Sequence, residues 1–337
     1  MLPYVNHYNA CYLNLTRQLF IVSVWFSVVP KKQNISCSNY CATCVRMQLS
    51  DKINEIRCDW SSGASQIARN ALGVLRFFVQ TNKNTSCTGF VEDFSEVGRL
   101  LFDARPNMVP VQNLVAQIVY EVNTLDVHDL TVVQKFALSQ IDKLCKQSEI
   151  AVKESAQNAA ALIEDSVCLA TCSYSSTVCE SLKLAKLQGK NFKVFVAESK
   201  TGRVCYGQIL AHFLESINVS VQVFPDNKIC KYVPKTRCVL VGADSIACDG
   251  SVVNGTPTYD LAVASKDCGI PFYSVCETTK ANTLSYLGKN VTLKSGFDLV
   301  PPILITGIIT EKGILGTSEI VDIIKDKSKF LEIFHIQ

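Results

Sequence analysis

An apolar run of the sequence ends at an acid, Asp244, and a second acid, Asp249, follows five residues later. A carboxylate at the end of a buried strand can exchange protons with a substrate or bind a ligand. The same residue types also cap helices and satisfy turn backbone without any chemistry. Other apolar runs end in polar residues too, and four such ends together form one candidate site: Thr171–Ser175, Glu198–Lys200, Asp244–Ser245 and Glu277.

The elements that must position these side chains are β-rich runs separated by helical or turn segments. The β-rich runs are residues 166–172, 192–199, 219–224, 238–244 and 271–277. The later intervening segments are 206–216, 227–232 and 257–267. Apolar strands that alternate with helices indicate a parallel sheet covered on both faces. Such sheets bind ligands outside the carboxyl ends of their strands, so we expect the four polar ends to converge in space.

The region before this sheet has helical periodicity. Ile67, Ala71, Leu75 and Phe78 recur at helical spacing and predict one apolar stripe. Further helices are predicted at 94–102, 111–122 and 133–163. The predicted fold class is therefore α/β, with an N-terminal helical domain followed by a parallel-sheet domain. The predicted boundaries are a divergent extension at 1–60, the helical domain at 61–165, the sheet domain at 166–324 and a tail at 325–337.

Composition and charge argue against several function classes. A formal charge of +3 over 337 residues is too small to indicate binding to nucleic acid or to anionic lipid. The apolar run Leu19–Pro30 is shorter than the ~20 residues that a membrane-spanning helix needs. The 16 cysteines include several inside apolar strand and helix patterns, where free thiols act as small buried hydrophobes. We therefore expect a reducing, cytoplasmic location, with no membrane and no direct nucleic-acid partner.

No cofactor or metal is predicted. The four histidines never cluster in the sequence: His7, His128, His212 and His335. A zinc site or a Ser-His-Asp triad therefore has little to build on, and neither a GxGxxG motif after a strand nor a P-loop is present. Cys37, Cys41 and Cys44 have the spacing of three iron–sulfur ligands. Because no fourth ligand follows, incidental cysteines are the favoured interpretation.

Five segments, taken in order, resemble one protein superfamily. They are "ASQIARNALGVL" (64–75), "DARPNMVPVQNLV" (103–115), "FKVFVAESK" (192–200), "VLVGADSIACDGSVVN" (239–254) and "FDLVPPILITGIITEKGIL" (297–315). The superfamily joins the regulatory alpha, beta and delta subunits of translation initiation factor 2B to the isomerases of methylthioribose 1-phosphate and ribose 1,5-bisphosphate. The resemblance covers about residues 63–324. It implies a helical domain, then a Rossmann-like domain through which dimers form.

The resemblance also places a site. The isomerases use a cysteine and an aspartate as their acid–base pair. By the resemblance, their aspartate corresponds to Asp244 and their cysteine to Ser173. Cys172 of this chain lies one residue before the cysteine position. A one-residue shift in a strand points a side chain to the opposite face, so Cys172 is not expected to substitute. Ser173 and Asp244 are therefore vestigial candidates, and no catalytic residue is expected. The ligand pocket implied by the resemblance is Gly63, Thr171, Ser173, Glu198, Lys200, Asp244 and Asn254.

Three anion-binding positions of the isomerases are changed in this chain. Ser62 stands where the isomerases have an arginine, and Gly255 stands where they have a lysine. Lys200 replaces a second arginine, and a lysine binds phosphate as a point charge rather than through a forked guanidinium. A doubly phosphorylated or thiomethylated sugar would lose several positive anchors together.

Three function classes follow from these observations. The favoured one is a non-catalytic regulatory subunit of the factor 2B guanine-nucleotide exchange complex, whose partners would be the other subunits and initiation factor 2. The alternative is an aldose–ketose isomerase, and a third possibility is a protein that binds a sugar phosphate or nucleotide in the vestigial pocket. Segment 65–79 is most similar to beta, 275–278 to delta and 173–176 to alpha, so the subunit type stays open with beta favoured.

The sequence supports three further expectations about structure. Asp244 is expected to accept hydrogen bonds from nearby backbone N–H groups or from the hydroxyls of Ser173 and Ser245. The apolar segment 298–309 is expected to lie partly in a subunit interface, because it is hydrophobic nearly all round. The basic run at 325–330 is expected to be solvated.

Overall fold

The structure is a computed structural model that describes residues 42–59, 62–106, 108–289, 293 and 295–334. The apolar run Leu19–Pro30 and the cysteines Cys37 and Cys41 lie outside these residues. The described helices are α1 (Ala42–Cys58), α2 (Ala64–Thr81), α3 (Cys87–Ala104), α4 (Val109–Asn123), α5 (Leu130–Leu162), α6 (Ser176–Leu187), α7 (Tyr206–Ser216), α8 (Ile229–Tyr232), α9 (Thr258–Asp267), α10 (Thr283–Tyr286) and α11 (Thr317–Ser328). None of them is long and apolar enough to cross a membrane.

Helices α2 to α5 form the predicted helical half. The stripe predicted on α2 is buried, and its Phe78 packs against Phe90 and Phe94 of α3 with ring centroids 5.8 and 6.1 Å away. A side-chain cap sets the start of α3: Ser86 Oγ accepts a hydrogen bond from the Gly89 N–H, as expected for an N-cap residue. The helix predicted at 94–102 is twice as long in the structure, with 18 residues at Cys87–Ala104. The helix predicted at 111–122 is only slightly longer, with 15 residues at Val109–Asn123.

The helical core also includes residues from outside the predicted range 61–165. Ile53 and Ile56 of α1 are buried in it, and so are Leu331 and Phe334 near the C-terminus. In the basic run at 325–330, Lys325, Asp326 and Lys329 are exposed as expected and Lys327 is half-buried, while the two apolar side chains that follow the run dock the tail on the helices. The Arg99 guanidinium lies 5.2 Å from the Phe334 ring centroid and stabilises the same contact.

The strands are β1 (Val167–Thr171), β2 (Phe192–Ala197), β3 (Lys200–Thr201), β4 (Val204–Cys205), β5 (Ser220–Phe224), β6 (Cys238–Val241), β7 (Ser245–Ile246), β8 (Val252–Gly255), β9 (Phe272–Val275), β10 (Phe297–Val300), β11 (Gly307–Thr310) and β12 (Gly313–Leu315). The main sheet has the order β5-β2-β1-β6-β9-β11-β12, and its strands are parallel apart from β12. Its six parallel strands have the 3-2-1-4-5-6 order of a Rossmann fold. The predicted fold class is therefore confirmed.

Two smaller sheets flank the main one. β3 and β4 form a short antiparallel hairpin after β2. β7, β8 and β10 form an antiparallel sheet in which β8 is central. The sequence did not predict this second sheet, because its strands are only two to four residues long.

The apolar segment 298–309 divides into a buried and an exposed part. β11 lies between β9 and β12, and Ile308 and Ile309 are fully buried there. An inner strand of a parallel sheet is covered on both faces, which explains much of the hydrophobicity. Leu299 on β10 and Ile303 after it remain exposed, at 37% and 73%. An interface at these two residues stays a prediction.

Candidate functional site

The candidate site lies where the order of the main sheet reverses. β1 and β6 are neighbours, and the chain proceeds outward from them in opposite directions across the sheet. Open parallel sheets bind ligands at such a switch point, outside the carboxyl ends of the strands. A Cβ on Gly242, after β6, would lie only 2.5 Å from Ser175 Oγ, after β1. The loops that follow these two strands therefore touch.

The start of helix α2 approaches the same place. Gly63 is the N-cap of α2, and a Cβ at this position would lie 3.4 Å from Ser176 Oγ. Ser65 Oγ, in the first turn of α2, donates a hydrogen bond to the carboxylate of Glu277 just after β9. The helical half therefore closes one side of the crevice.

Ser173 is held against strand β8. Its φ of 61° lies in the left-handed region, and its N–H donates to Ser199 Oγ at 2.7 Å. A Cβ on Gly255 of β8 would lie 2.7 Å from Ser173 Oγ. The serine therefore occupies space that a side chain at 255 would need, and the lysine expected there in an isomerase does not fit without a rearrangement.

Cys172 faces away from the crevice. The residue is 1% exposed, and its Sγ lies 3.1 Å from Thr258 Oγ1 at the start of α9. Burial raises the pKa of this thiol to about 12, so it stays protonated near neutral pH. Cys172 packs in the sheet core, as the strand alternation predicted.

Asp244 combines solvent exposure with a raised pKa. Its side chain is exposed, yet the surrounding protein desolvates the carboxylate and raises its pKa above 3.8, an effect that Lys280 partly opposes. Both properties hold together if the carboxylate lines a recess that water can enter. No described residue donates a hydrogen bond to this carboxylate, so the predicted bonds from Ser173, Ser245 or backbone N–H groups are not formed. The backbone N–H of Asp244 bonds Val253 O of β8 at 2.8 Å.

Asp249, the second acid of the opening stretch, has a structural role. Its carboxylate accepts hydrogen bonds from the N–H and the hydroxyl of Ser251, both at 2.9 Å. Gly250, with a φ of 84°, forms the turn between β7 and β8. Asp249 therefore stabilises the tight connection between β7 and β8.

Lys280 is the residue that sequence reasoning missed. Its Nζ donates to the carbonyl of Ala243 at 2.6 Å, which places the ammonium next to Asp244. Burial lowers the pKa of Lys280, but the charges of Glu277 and Asp244 outweigh burial and raise it. Glu277 is fully buried, and its Oε2 has no hydrogen-bond partner among the described residues. The crevice thus contains a protonated amine between two carboxylates. The sequence contained one signal for this residue, because Lys280 lies three residues after Glu277, an acid at the end of a predicted strand.

The remaining predicted pocket residues contribute less. Asn254 is buried, and its amide donates to Thr258 Oγ1 at 2.9 Å. Thr171 is buried at the end of β1, and its hydroxyl has no partner among the described residues. Lys200 is exposed on β3, where its N–H bonds Asp226, and Glu198 is half-buried. The described residues contain no group of three or more His, Cys, Asp or Glu side chains that could hold a metal ion.

Comparison with known proteins identifies the family of this chain. The family model described as the initiation factor 2 subunit family matches residues 61–296, which is more than half of the chain. The chain belongs to this family.

Members of the initiation factor 2 subunit family carry more than one kind of name. The chain is 31% identical to a translation initiation factor eIF-2B subunit 2-like protein of Pyrococcus furiosus, over 78% of this chain and 94% of that protein. It is 26% identical to the ribose 1,5-bisphosphate isomerase of Thermococcus kodakarensis, over 83% of this chain and 94% of that enzyme. A solved translation initiation factor eIF-2B of Pyrococcus horikoshii OT3 is 28% identical, with a TM-score of 0.64 over 80% of this chain and 96% of that one. Membership of the family therefore admits both a regulatory and an enzymatic role, and the residues of the site must distinguish them.

Proposed function

We propose that this chain is a non-catalytic regulatory subunit, of beta-like type, in a translation initiation factor 2B complex that exchanges guanine nucleotide on initiation factor 2. Its partners would be the other subunits of that complex and initiation factor 2 itself, and its location would be the cytoplasm. Family membership and the similarity to the eIF-2B subunit 2-like protein support this assignment.

One observation carries the proposal: among the described residues, no accessible thiol lies beside Asp244. Cys276 is close enough to interact electrostatically with Asp244, but it is fully buried, and burial raises its pKa. The position expected for the catalytic cysteine holds Ser173, and Cys172 is buried in the sheet core beside Thr258. Aldose–ketose isomerisation needs one group that gives a proton and one that takes it. A serine hydroxyl is a far weaker acid than a thiol, whose pKa is near ~8.5. The pair is therefore incomplete.

Reconstitution tests the regulatory role. The chain is co-expressed with candidate partner subunits from the same organism, and the release of labelled GDP from initiation factor 2 is measured with and without it. We expect the chain to co-purify with those subunits and to change the exchange rate or its response to phosphorylated factor 2. Failure to associate with any of them would refute the proposal.

We further propose that the crevice still binds a phosphorylated small molecule. The protonated Lys280 beside the exposed Asp244 supplies a cation and a hydroxyl-binding carboxylate within one recess. This pairing suits a sugar phosphate or a nucleoside monophosphate, in which an anion and hydroxyl groups lie close together. Calorimetric titration with ribose 5-phosphate and with AMP tests this, and heat of binding that disappears in Lys280→Met is expected.

The second candidate function is an aldose–ketose isomerase, and Asp244 is the observation that favours it. A solvent-accessible carboxylate with a raised pKa is typical of a general acid or base. Similarity to the ribose 1,5-bisphosphate isomerase supports the same interpretation. Turnover of that substrate by the purified chain, absent in Asp244→Asn, would establish this function instead.

A further inference from the structure

The segment Glu277–Thr283 connects the crevice to the helical half of the molecule. It follows β9 and carries Lys280 near its middle. At its start, Ser65 Oγ of α2 donates a hydrogen bond to the Glu277 carboxylate, and Lys327 Nζ of α11 lies 3.4 Å from Thr278 O. The segment is therefore fixed from outside the sheet before it reaches the lysine.

Asn113 of α4 holds the two residues on either side of Lys280. Its Nδ2 donates to Thr279 O at 2.8 Å and to Ala281 O at 2.7 Å. Its Oδ1 accepts a hydrogen bond from Thr283 Oγ1 at 2.8 Å. Asn113 is 7% exposed, so one buried amide group satisfies two backbone carbonyls and a hydroxyl that have little access to water.

These contacts set the backbone from which Lys280 extends. Thr279 O belongs to the peptide group directly before Lys280, and Ala281 O belongs to the peptide group after Ala281. One side chain from the helical half therefore holds the backbone on both sides of Lys280. Lys280 then reaches Ala243 O and the neighbouring Asp244. Asn113, Thr279 and Lys327 also line one small cavity, which is where the segment and the helical half meet.

We propose that Asn113 is a positioning residue for Lys280, so that the anion affinity of the crevice depends on a contact made by helix α4. The inference rests on the proposed ligand pocket. Coupling of this kind is reciprocal: a ligand that fixes Lys280 also stabilises the contact between α4 and the segment. Displacement of α4 by a partner would change ligand affinity by the same route.

The chain offers a matched control on the same helix. Asn123 lies at the other end of α4, and its Nδ2 donates to Ser95 Oγ and Val119 O, both at 2.8 Å. These partners belong to the helical half alone. Asn123→Ala therefore removes a comparable set of hydrogen bonds without touching the segment that carries Lys280.

The test combines two readouts on the wild type, Asn113→Ala and Asn123→Ala. The first is the dissociation constant for ribose 5-phosphate by calorimetry, and the second is the rate at which an amine-reactive acetylating reagent labels Lys280, followed by mass spectrometry without ligand. We expect Asn113→Ala to weaken binding about 5- to 150-fold, the usual range of coupling between sites, and to speed the labelling of Lys280. Asn123→Ala should lower the melting temperature but leave both readouts unchanged. If Asn113→Ala does not fold, Thr283→Val removes one of the three hydrogen bonds and should shift both readouts in the same direction.

The outcomes separate the two proposals. If Asn113→Ala keeps the wild-type affinity and the wild-type labelling rate and only lowers the melting temperature, Asn113 is a structural residue and the inference is overturned. A wild-type chain that does not bind ribose 5-phosphate would count against the pocket, whereas the labelling rates would still decide whether Asn113 positions Lys280.

Discussion

Cys172 Sγ lies 3.1 Å from Thr258 Oγ1 on the core side of the loop after β1, and the next residue, Ser173, places its Oγ against Gly255 at the crevice. β1 ends at Thr171, and the left-handed φ of 61° at Ser173 turns the hydroxyl away from the side of the buried thiol, so the two groups cannot exchange places without moving the backbone. The chain therefore has a cysteine next to, but not in, the position where the isomerases are expected to have theirs.

Thiol labelling tests this placement. In Ser173→Cys the new thiol should react with iodoacetamide at neutral pH, because it faces the crevice. Cys172 should stay unlabelled in the folded wild type, because burial raises its pKa to about 12. Mass spectrometry of the peptide reads both positions, with the exposed Cys268 as the internal reference. Labelling of Cys172 as fast as Cys268 would place it in the crevice.

Asp244→Asn should not destabilise the protein at pH 7. The pKa of Asp244 is raised above 3.8 on folding, so the folded state holds its proton more tightly than the unfolded state does. Stability therefore falls as the pH rises from about 3.8 through the raised pKa. The asparagine variant lacks this loss, and its melting temperature should equal or exceed that of the wild type at pH 7 and match it more closely near pH 4. A clear loss of stability at pH 7 would restore the structural role expected from the sequence.

Lys280→Met should destabilise the protein by about 1–3 kcal/mol, the usual cost of leaving a buried polar group without its partner. The change removes the donor to Ala243 O and the cation beside the buried Glu277. Lys200→Met is the control, because that lysine belongs to the pocket implied by the resemblance but is exposed. Chemical denaturation measures the free energy of unfolding of both variants. Equal losses of stability in the two would contradict the environment described for Lys280.

The main sheet could be predicted because its apolar runs alternate along the chain with helical segments. The burial of Cys172 could be predicted because it lies one residue before the position expected for the isomerase cysteine. The five apolar runs became β1, β2, β5, β6 and β9, and the polar ends of β1 and β6 do meet. β11 was not predicted as a strand, because the whole segment 298–309 is apolar and its hydrophobicity was attributed to a subunit interface.

The parts that escaped prediction depend on contacts between distant residues. Lys280 meets Ala243 across 37 positions of the chain, and Asn113 meets Thr279 across 166. Asp244 was expected to bond its sequence neighbours, but the charge that affects its pKa comes from Lys280. Leu331 was assigned to a tail by its position, yet it packs in the helical core. No local pattern in the sequence reveals such partners.

Ile303→Asp should weaken association of the chain with itself or with partner subunits, if the exposed apolar residues around β10 form an interface. Burying a charge at such a surface is costly, whereas the free chain tolerates it. Leu187→Asp, at the end of α6, is a matched control, because Leu187 and Ile303 are each 73% exposed. Sedimentation velocity over a range of concentrations compares the two variants, and equal behaviour would remove Ile303 from the interface.

The most direct test of the non-catalytic assignment is a turnover assay with ribose 1,5-bisphosphate and with methylthioribose 1-phosphate. The purified wild type, Asp244→Asn and Ser173→Cys are compared with a protein-free blank by measuring formation of the ketose product. We expect the wild type to form no product above the blank, because no accessible thiol of the described residues lies beside Asp244. Wild-type turnover that disappears in Asp244→Asn would contradict it and assign the crevice to an isomerase.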